Sequence, residues 1–227
     1  MALKSKDCLI VLAKDPVPGL VKTRLHPHLT LREAAGLYEA FVEDVFRTVL
    51  SLPRVQKVVA YSGRGQGLKR LTAQDCHWIP QGAGDLGARM MRAFQWSHNQ
   101  GFRRTILIGT DSPNLPSSYI RNSFRLLRKS DVVVGPAWDG GFYILGMKPP
   151  LVKGVLEGIE WSKSSTLLHT IQKMKSLGKK TEILPAWYDV DVVGDLDLLR
   201  LDLLCHRSQS RACRQTLKAL IRLGMMN

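Results

Sequence analysis

The segment 14–25 carries three cations beside a stiff turn of two prolines and a glycine. Its sequence is KDPVPGLVKTRL, and the cations are Lys14, Lys22 and Arg24. Glycine lets the backbone approach a phosphate, and the cations neutralise its charge. The GxxxxGK[ST] spacing of a P-loop is not met, because no glycine stands directly before Lys22. The alternative is an exposed basic loop. We predict a nucleotide-phosphate site with Lys14, Pro18, Gly19, Lys22, Thr23 and Arg24.

A lone carboxylate, Asp111, follows the apolar run TILIG in the segment GTDSP. Mg²⁺ in proteins prefers one or two carboxylates, with phosphate and water oxygens completing its shell. The simpler alternative is that Asp111 caps the next helix, although Ser117 is better placed to do so. We predict that Asp111 binds Mg²⁺ (or Mn²⁺) and that Thr110 contacts the nucleotide.

A second acidic segment, Asp189-Val190-Asp191, comes late in the chain, with Asp195 just beyond it. Aspartates gather naturally at helix N-termini, and this explains Asp195. Asp191 stands at the end of a short apolar run. We predict that Asp191 is a second metal ligand.

The segment GPAWDGGFY at 135–143 places twin glycines beside an acid and two aromatic residues. Such a loop could close on a small acceptor, with Asp139 as a general base. A tight turn between two strands would use the same Asp-Gly pair. We predict an acceptor site formed by Asp139, Gly140, Gly141, Trp161 and Ser162, although a core position would also suit Trp161.

The segment GAGDLG at 82–87 spells GxGxxG, and Asp111 follows Gly87 after 24 residues. This is close to a dinucleotide-binding fingerprint, so an NAD-dependent oxidoreductase is an alternative. Against it, the preceding strand contains Trp78 and Pro80 and is a poor central strand. An oxidoreductase function would also give the cationic loop no role in ligand binding. We therefore predict that Gln81, Gly84 and Arg89 face the nucleotide base or ribose.

Alternating strand and helix patterns must position these segments. The predicted strands are 8–13, 55–61, 77–80, 105–109, 131–134, 142–147 and 182–184. The predicted helices are 30–50, a short one before 75, 84–100, 117–128, 164–177, one from 195, and 209–223. Such alternation predicts an α/β fold with a mostly parallel sheet and helices on both faces. Ligands of open parallel sheets bind beyond the carboxyl ends of the strands, where four of the unusual loops fall.

The chain has 227 residues and a formal net charge of +14. This charge attracts polyanions, from phosphorylated small molecules to nucleic acid. No RNP, zinc-finger or basic-aromatic pattern supports a nucleic-acid partner, which we do not expect. The four cysteines have no zinc-like spacing, and the first apolar run, CLIVLA, is too short for a signal or membrane segment. We expect a cytoplasmic protein without a membrane partner.

Six segments appear in one order across residues 14–199: KDPVPGLVKTRL, QGAGDLGARM, GTDSPNLP, GPAWDGGFYILG, WSKSSTLLHT and DVDVVGDLDLL. Together they resemble a bacterial nucleotide-diphospho-sugar transferase family, often labelled as glycosyltransferases of radical-SAM or arsenosugar gene clusters. The family is similar to the phospholactate and molybdenum-cofactor guanylyltransferases. The resemblance implies a three-layer α/β/α, Rossmann-like GT-A fold. It also implies that the loop cations bind phosphate, that Asp111 and Asp191 bind metal, and that Gln81 faces the base. Val192 replaces the usual threonine of the DVDT pattern.

These observations predict a metal-dependent transferase that uses a nucleotide-activated donor, with Lys22, Arg24 and Asp139 as its catalytic residues. The family label favours glycosyl transfer from an NDP-sugar to a small acceptor, which is the reaction we predict. The cationic loop favours the alternative, nucleotidyl transfer from an NTP to a small phosphorylated acceptor. We predict one domain at 1–205 and a basic C-terminal helix at 206–227, which packs on it or forms a homodimer contact.

Overall fold

The computed structural model describes residues 6–72, 76–151 and 154–226. The strands of its sheet are β1 Asp7–Lys14, β2 Gln56–Ser62, β3 His77–Pro80, β4 Arg104–Ile108, β5 Val132–Pro136, β6 Phe142–Met147 and β7 Thr181–Ile183. The helices are α1 Leu31–Leu50, α2 Gln66–Leu71, α3 Leu86–Asn99, α4 Ser117–Leu126, α5 Thr166–Ser176, α6 Val193–Cys205, α7 Arg207–Ala212 and α8 Arg214–Arg222. A 3₁₀ turn spans Thr23–Leu25. The predicted alternation of strands and helices is confirmed, with bounds that differ by a few residues.

The strands form a sheet in the order β3-β2-β1-β4-β6-β5-β7. Strand β6 runs antiparallel to both β4 and β5, and the other neighbouring pairs are parallel. Consequently β1, β4, β5 and β7 end at the same edge of the sheet. The cationic loop, the GTDSP turn, the 137–141 turn and the late acidic segment therefore all begin at that edge.

Strand β1 is apolar on both faces because helices cover both sides of the sheet. Leu9 and Val11 pack in one cluster with α1, α2 and α4, and Cys8 and Ile10 pack in another with α3 and α5. A third cluster joins the outer face of α1 to α6 and α8. The predicted α/β class with a mostly parallel mixed sheet is confirmed, and α6 and α8 add a layer outside α1.

Helix α1 begins with a capping box. The Thr30 hydroxyl accepts a hydrogen bond from Glu33 N, and the Glu33 carboxylate accepts one from Thr30 N at 2.8 Å. Helix α4 begins at Ser117 as predicted, but the expectation that Ser117 caps it was wrong, because Pro116 stands at the N-cap and no side chain caps the helix. The Ser117 hydroxyl instead accepts a hydrogen bond from Arg121.

The predicted final helix 209–223 is two helices, α7 and α8, which are separated at Cys213. The break lets the first turn of α8 meet a buried carboxylate, since Gln215 N and Thr216 N both donate to Asp44. Cys213 is itself buried, with its thiol against the carbonyl of Pro113. Across the described residues, no helix combines the length and apolar character needed to cross a membrane.

Candidate active site

A cleft of about 590 Å³ opens at the sheet edge where β1 and β4 end. Its lining includes parts of five segments that the sequence singled out. These lining residues are Lys14, Lys22, Thr23, Arg24, Gln81, Gly84, Arg89, Thr110, Asp111, Trp161, Ser162 and Asp191. Thus the fold brings most of the predicted site residues to one wall or another of a single cleft.

Lys22 is the most enclosed cation of the cleft. Its side chain is 2% exposed, and Nζ contacts a carboxylate oxygen of Asp111, the Val190 carbonyl at 2.7 Å and Asp191 Oδ1 at 3.1 Å. The ammonium also lies 5.5 Å from the ring centre of Phe41. Burial alone would lower the pKa of Lys22, but the two carboxylates outweigh it and raise the pKa. Lys22 is therefore charged and bridges the two predicted metal ligands.

Backbone and hydroxyl contacts join the GTDSP turn to the late acidic segment. Val190 N donates to the Asp111 carbonyl at 2.8 Å, and Ser112 Oγ donates to the Tyr188 carbonyl at 3.0 Å. Ser112 Oγ also contacts Asp189. These contacts explain why two carboxylates 80 residues apart in sequence face one ammonium.

Asp189 lines the cleft too, although its position in the sequence does not distinguish it from the neighbouring aspartates. Burial and the nearby charge of Asp111 raise the pKa of Asp189 to about 7. The carboxylate therefore gains its charge far less readily than an exposed aspartate would.

The cationic loop is held by side chains that the sequence analysis did not assign to the site. Asp15 accepts hydrogen bonds from Gly65 N at 2.6 Å and Leu68 N at 3.3 Å, which ties the loop to the start of α2. Tyr38 Oη contacts Lys14 N at 3.0 Å and Thr110 Oγ1 at 2.9 Å. Tyr38 thereby joins the ends of β1 and β4. Its position among apolar residues at helical spacing on α1 is typical of a core residue and does not indicate this role.

Arg24 and Lys14 remain accessible beside the buried Lys22. The Arg24 side chain is 62% exposed, with Nη1 4.0 Å from Asp191 Oδ2, and Lys14 is exposed at the end of β1. Both line the cleft, as does Leu20, whereas the predicted residues Pro18 and Gly19 are not part of its lining. Two of the three predicted cations are thus open to a ligand.

The cleft lining also contains the residues predicted to face the base. Gln81 is 6% exposed, and Nε2 donates to the carbonyls of Ala13 and Ala60 at 3.2 and 2.8 Å. The glycine-rich segment 82–87 follows β3, which is an edge strand of the sheet. A dinucleotide fingerprint belongs after a central strand, so this position disfavours the oxidoreductase alternative.

Only two of the five residues predicted for the acceptor site line the cleft. Trp161 and Ser162 line the cleft, but its lining omits Asp139, Gly140 and Gly141. Asp139 accepts a hydrogen bond from Gly141 N at 2.8 Å, and Ala137 N donates to the Gly141 carbonyl. These three residues form the tight turn between β5 and β6, which was the alternative explanation. The structure does not place Asp139 as a base in the cleft.

The donor set of the cleft suits one divalent cation with incomplete protein ligation. In the described part of the chain, no group of three or more His, Cys, Asp or Glu side chains is arranged to hold a metal. Asp111 and Asp191 are 44% and 40% exposed and share one cationic neighbour, so a single ion could reach both. In nucleotide sites, Mg²⁺ is usually bound by one or two carboxylates, and phosphate and water oxygens occupy its remaining coordination positions.

Comparison with solved structures defines the fold class. The chain is similar to a protein from Desulfovibrio desulfuricans G20 that is provisionally assigned as a nucleotide-diphospho-sugar transferase. The TM-score is 0.86 at 30% identity, over 96% of both chains. It is also similar in fold to 4-diphosphocytidyl-2C-methyl-D-erythritol synthase from Anaerococcus prevotii DSM 20548. That match has a TM-score of 0.59 at 9% identity, over 88% of this chain and 97% of the other. The fold is therefore that of the nucleotide-diphospho-sugar transferases and cytidylyltransferases.

The family is defined by sequence. Residues 45–163 match the family described as "uncharacterized protein conserved in bacteria (DUF2064)", and the chain belongs to this family. It is also 24% identical over 155 residues to 2-phospho-L-lactate guanylyltransferase of Methanobrevibacter ruminantium. That match spans 63% of this chain and 64% of the relative, so it covers less than two thirds of either protein. The relatives and fold neighbours named here are transferases, which agrees with the predicted enzyme class.

Proposed function

We propose that this protein is a metal-dependent, nucleotide-using transferase, and more narrowly a nucleotidyltransferase that acts on a small phosphorylated acceptor. One observation carries the proposal. The cationic loop after β1 and the carboxylates after β4 and β7 converge in a single cleft, where Lys22 contacts Asp111 and Asp191. Cations beside strand-end carboxylates suit a metal-chelated polyphosphate.

Different residues of the cleft would bind the phosphates and the base of the nucleotide. Lys14 and Arg24 would bind phosphate oxygens, and Asp111 and Asp191 would hold Mg²⁺. The metal would supply charge neutralisation on the phosphates and the leaving group. Gln81, Gly84 and Arg89 would receive the base and ribose, and Trp161 and Ser162 would border the acceptor.

The position of Asp139 favours nucleotidyl over glycosyl transfer. A hydroxyl acceptor benefits from a general base, and the predicted base lies in a turn that the cleft lining omits. A phosphorylated acceptor already presents an ionised oxygen. That oxygen would form the new bond to the α-phosphorus, and pyrophosphate would leave with the electron pair of the broken bond. The guanylyltransferase relative supports the same choice.

Glycosyl transfer from an NDP-sugar is the second candidate. The Desulfovibrio desulfuricans protein favours it, because it is 30% identical over nearly the whole chain and carries that provisional assignment. The two candidates share the metal and the nucleotide-binding cleft and differ in the bond that breaks.

A thermal-shift panel tests the proposal. The four NTPs, representative NDP-sugars, NADH and a random DNA duplex are each added with and without Mg²⁺. We expect one NTP to raise the melting temperature only with metal, by an amount that corresponds to about 2.7 kcal/mol at 100 times Kd. A larger shift from an NDP-sugar would favour glycosyl transfer. Stabilisation by NADH or DNA alone would contradict the proposal.

Asp111→Asn should remove the metal-dependent part of the NTP shift, since a neutral amide is a poor Mg²⁺ ligand. The matched control is Asp139→Asn, the same substitution in a strand-end turn outside the cleft lining. The control should keep the shift caused by metal and NTP. An equal loss in both variants would show that the effect does not depend on the cleft carboxylate.

A further inference from the structure

The chain supplies its own cation at the place where a metal would bind. Lys22 Nζ contacts Asp111, lies 3.1 Å from Asp191 Oδ1 and donates to the Val190 carbonyl at 2.7 Å. Its side chain is 2% exposed and packs over Phe41. The two carboxylates are thus already neutralised in part and held together by an internal ammonium.

The backbone of Lys22 has an unusual conformation. Its φ and ψ are 47° and 41°, in the left-handed region that lysine rarely adopts. The 3₁₀ turn at Thr23–Leu25 follows at once. Such conformations are costly and persist only where surrounding contacts enforce them. For Lys22, such contacts include those of its ammonium with the acidic pair and the Val190 carbonyl, and the hydrogen bond that its own carbonyl accepts from Leu25 N at 3.0 Å.

A divalent cation on the same two carboxylates would compete with this ammonium. A metal ligated by both Asp111 and Asp191 would lie only a few ångströms from Nζ, and the like charges would repel in a partly buried site. The rival arrangement keeps Lys22 on the Oδ1 atoms and places the metal on the Oδ2 atoms. In that case Lys22 would help to position the carboxylates for the metal.

We infer that Lys22 is a positioning residue that holds Asp111 and Asp191 together in the metal-free protein and leaves them when a divalent cation binds. Once released, its ammonium reaches the phosphates that arrive with the metal. This inference rests on the proposed metal-nucleotide site and adds to it an exchange of one cation for another.

Titration with Mn²⁺ alone, followed by electron paramagnetic resonance, tests the competition without nucleotide or turnover. Lys22→Met keeps the stem over Phe41 and removes the charge. We expect it to bind Mn²⁺ at least tenfold more tightly than the wild type. Lys129→Met makes the same charge change at an exposed position outside the cleft lining and should match the wild type. Adding Asp111→Asn to Lys22→Met should abolish the tight site. Unchanged or weaker Mn²⁺ binding by Lys22→Met would overturn the inference.

A second measurement uses the wild-type protein, so it does not depend on the folding of a variant. Lysines are reductively methylated with and without Mn²⁺, and each site is quantified by mass spectrometry. We expect Lys22 to be protected without metal and to become several-fold more reactive with it, while Lys129 does not change. Continued protection of Lys22 in protein that has bound Mn²⁺ would also overturn the inference.

The outcomes separate this inference from the proposed function. If Lys22→Met gains no affinity but Mn²⁺ with an NTP still binds through Asp111, only the exchange is wrong. If Mn²⁺ binds neither the wild type nor Lys22→Met, with or without an NTP, both the exchange and the proposed metal site are wrong.

Discussion

The orientation of Gln81 is set by the protein itself. Its Nε2 donates to two backbone carbonyls at the ends of β1 and β2, those of Ala13 and Ala60. The amide oxygen is therefore the atom that Gln81 can offer to a ligand in the cleft. At this position the wall presents a hydrogen-bond acceptor, which suits an amino or imino group on the edge of a base.

Gln81→Leu should lower the free energy of unfolding by about 1–3 kcal/mol, since two hydrogen bonds each contribute about 0.5–1.5 kcal/mol. Urea denaturation at pH 7 measures this. Gln95→Leu is the control, because Gln95 is exposed on α3 and its Nε2 donates to the exposed Asn99 at 2.8 Å. The control should change stability by less than about 0.5 kcal/mol. An equally small effect of Gln81→Leu would mean that the Nε2 contacts do not fix this side chain.

Residue types and their position after apolar runs singled out Lys22, Asp111 and Asp191 as candidate site residues. Local sequence could not show that Lys22 is buried between the two carboxylates, because that contact joins residues distant in the chain. The same limit applies to Tyr38, whose apolar neighbours on α1 gave no sign of its hydroxyl contacts.

At the scale of elements, the short strand β7 determines where the late acidic segment lies. It pairs with β5 at one edge of the sheet, and the chain then runs on to Asp191. Asp131 anchors the start of this pairing, because it accepts a hydrogen bond from Lys180 N at 3.0 Å and lies 3.5 Å from Lys148 Nζ. The hydrogen bond from Lys180, and then the charge of Lys148, lower the pKa of Asp131.

The lowered pKa of Asp131 determines how its contribution to the free energy of unfolding changes with pH. An aspartate whose folded pKa is depressed stabilises the fold above its unfolded value of about 3.9, and the contribution is lost as pH falls through the folded pKa. Asp131→Asn should therefore cost about 0.5 kcal/mol at pH 7, a small value because solvent screens the half-exposed pair. Urea denaturation of both proteins across pH should show the difference vanish at the acid end. A difference that grows as pH falls would contradict this account.

Periodicity located the elements well where one pattern dominates. The continuous apolar runs of β1 and β4 are examples. The break at Cys213 was missed because the amphipathic pattern runs through it. Its cause is the buried Asp44, more than 160 residues earlier in the chain. The antiparallel direction of β6 likewise depends on the turn at 137–141, whose Asp-Gly pair suited either a turn or an acceptor loop.

For the whole molecule, the net charge of +14 creates a field that attracts polyanions. The cleft adds accessible cations, among them Lys14, Arg24 and Arg89. The outer helices α7 and α8 carry further arginines, but α8 is packed through its apolar side against α1 and α6. The positive field is therefore consistent with attraction of a phosphorylated substrate to the cleft.

Nucleotide binding should weaken several-fold when salt rises from 0.1 M to 1 M, because the screening length falls from about 10 Å to about 3 Å. Isothermal titration of the NTP that gives the largest thermal shift, at constant Mg²⁺, measures this. The weakening should be smaller in Arg24→Gln, which lacks one exposed cation of the cleft. Affinity that does not depend on salt would show that charge plays little part in binding.

The most direct test of the account is an anomalous difference map from crystals that contain Mn²⁺ and the stabilising NTP. The account predicts a manganese peak at direct coordination distance from Asp111, with the phosphates between that peak and the side chains of Lys14 and Arg24. A manganese peak away from Asp111, or a nucleotide bound outside this cleft, would contradict it.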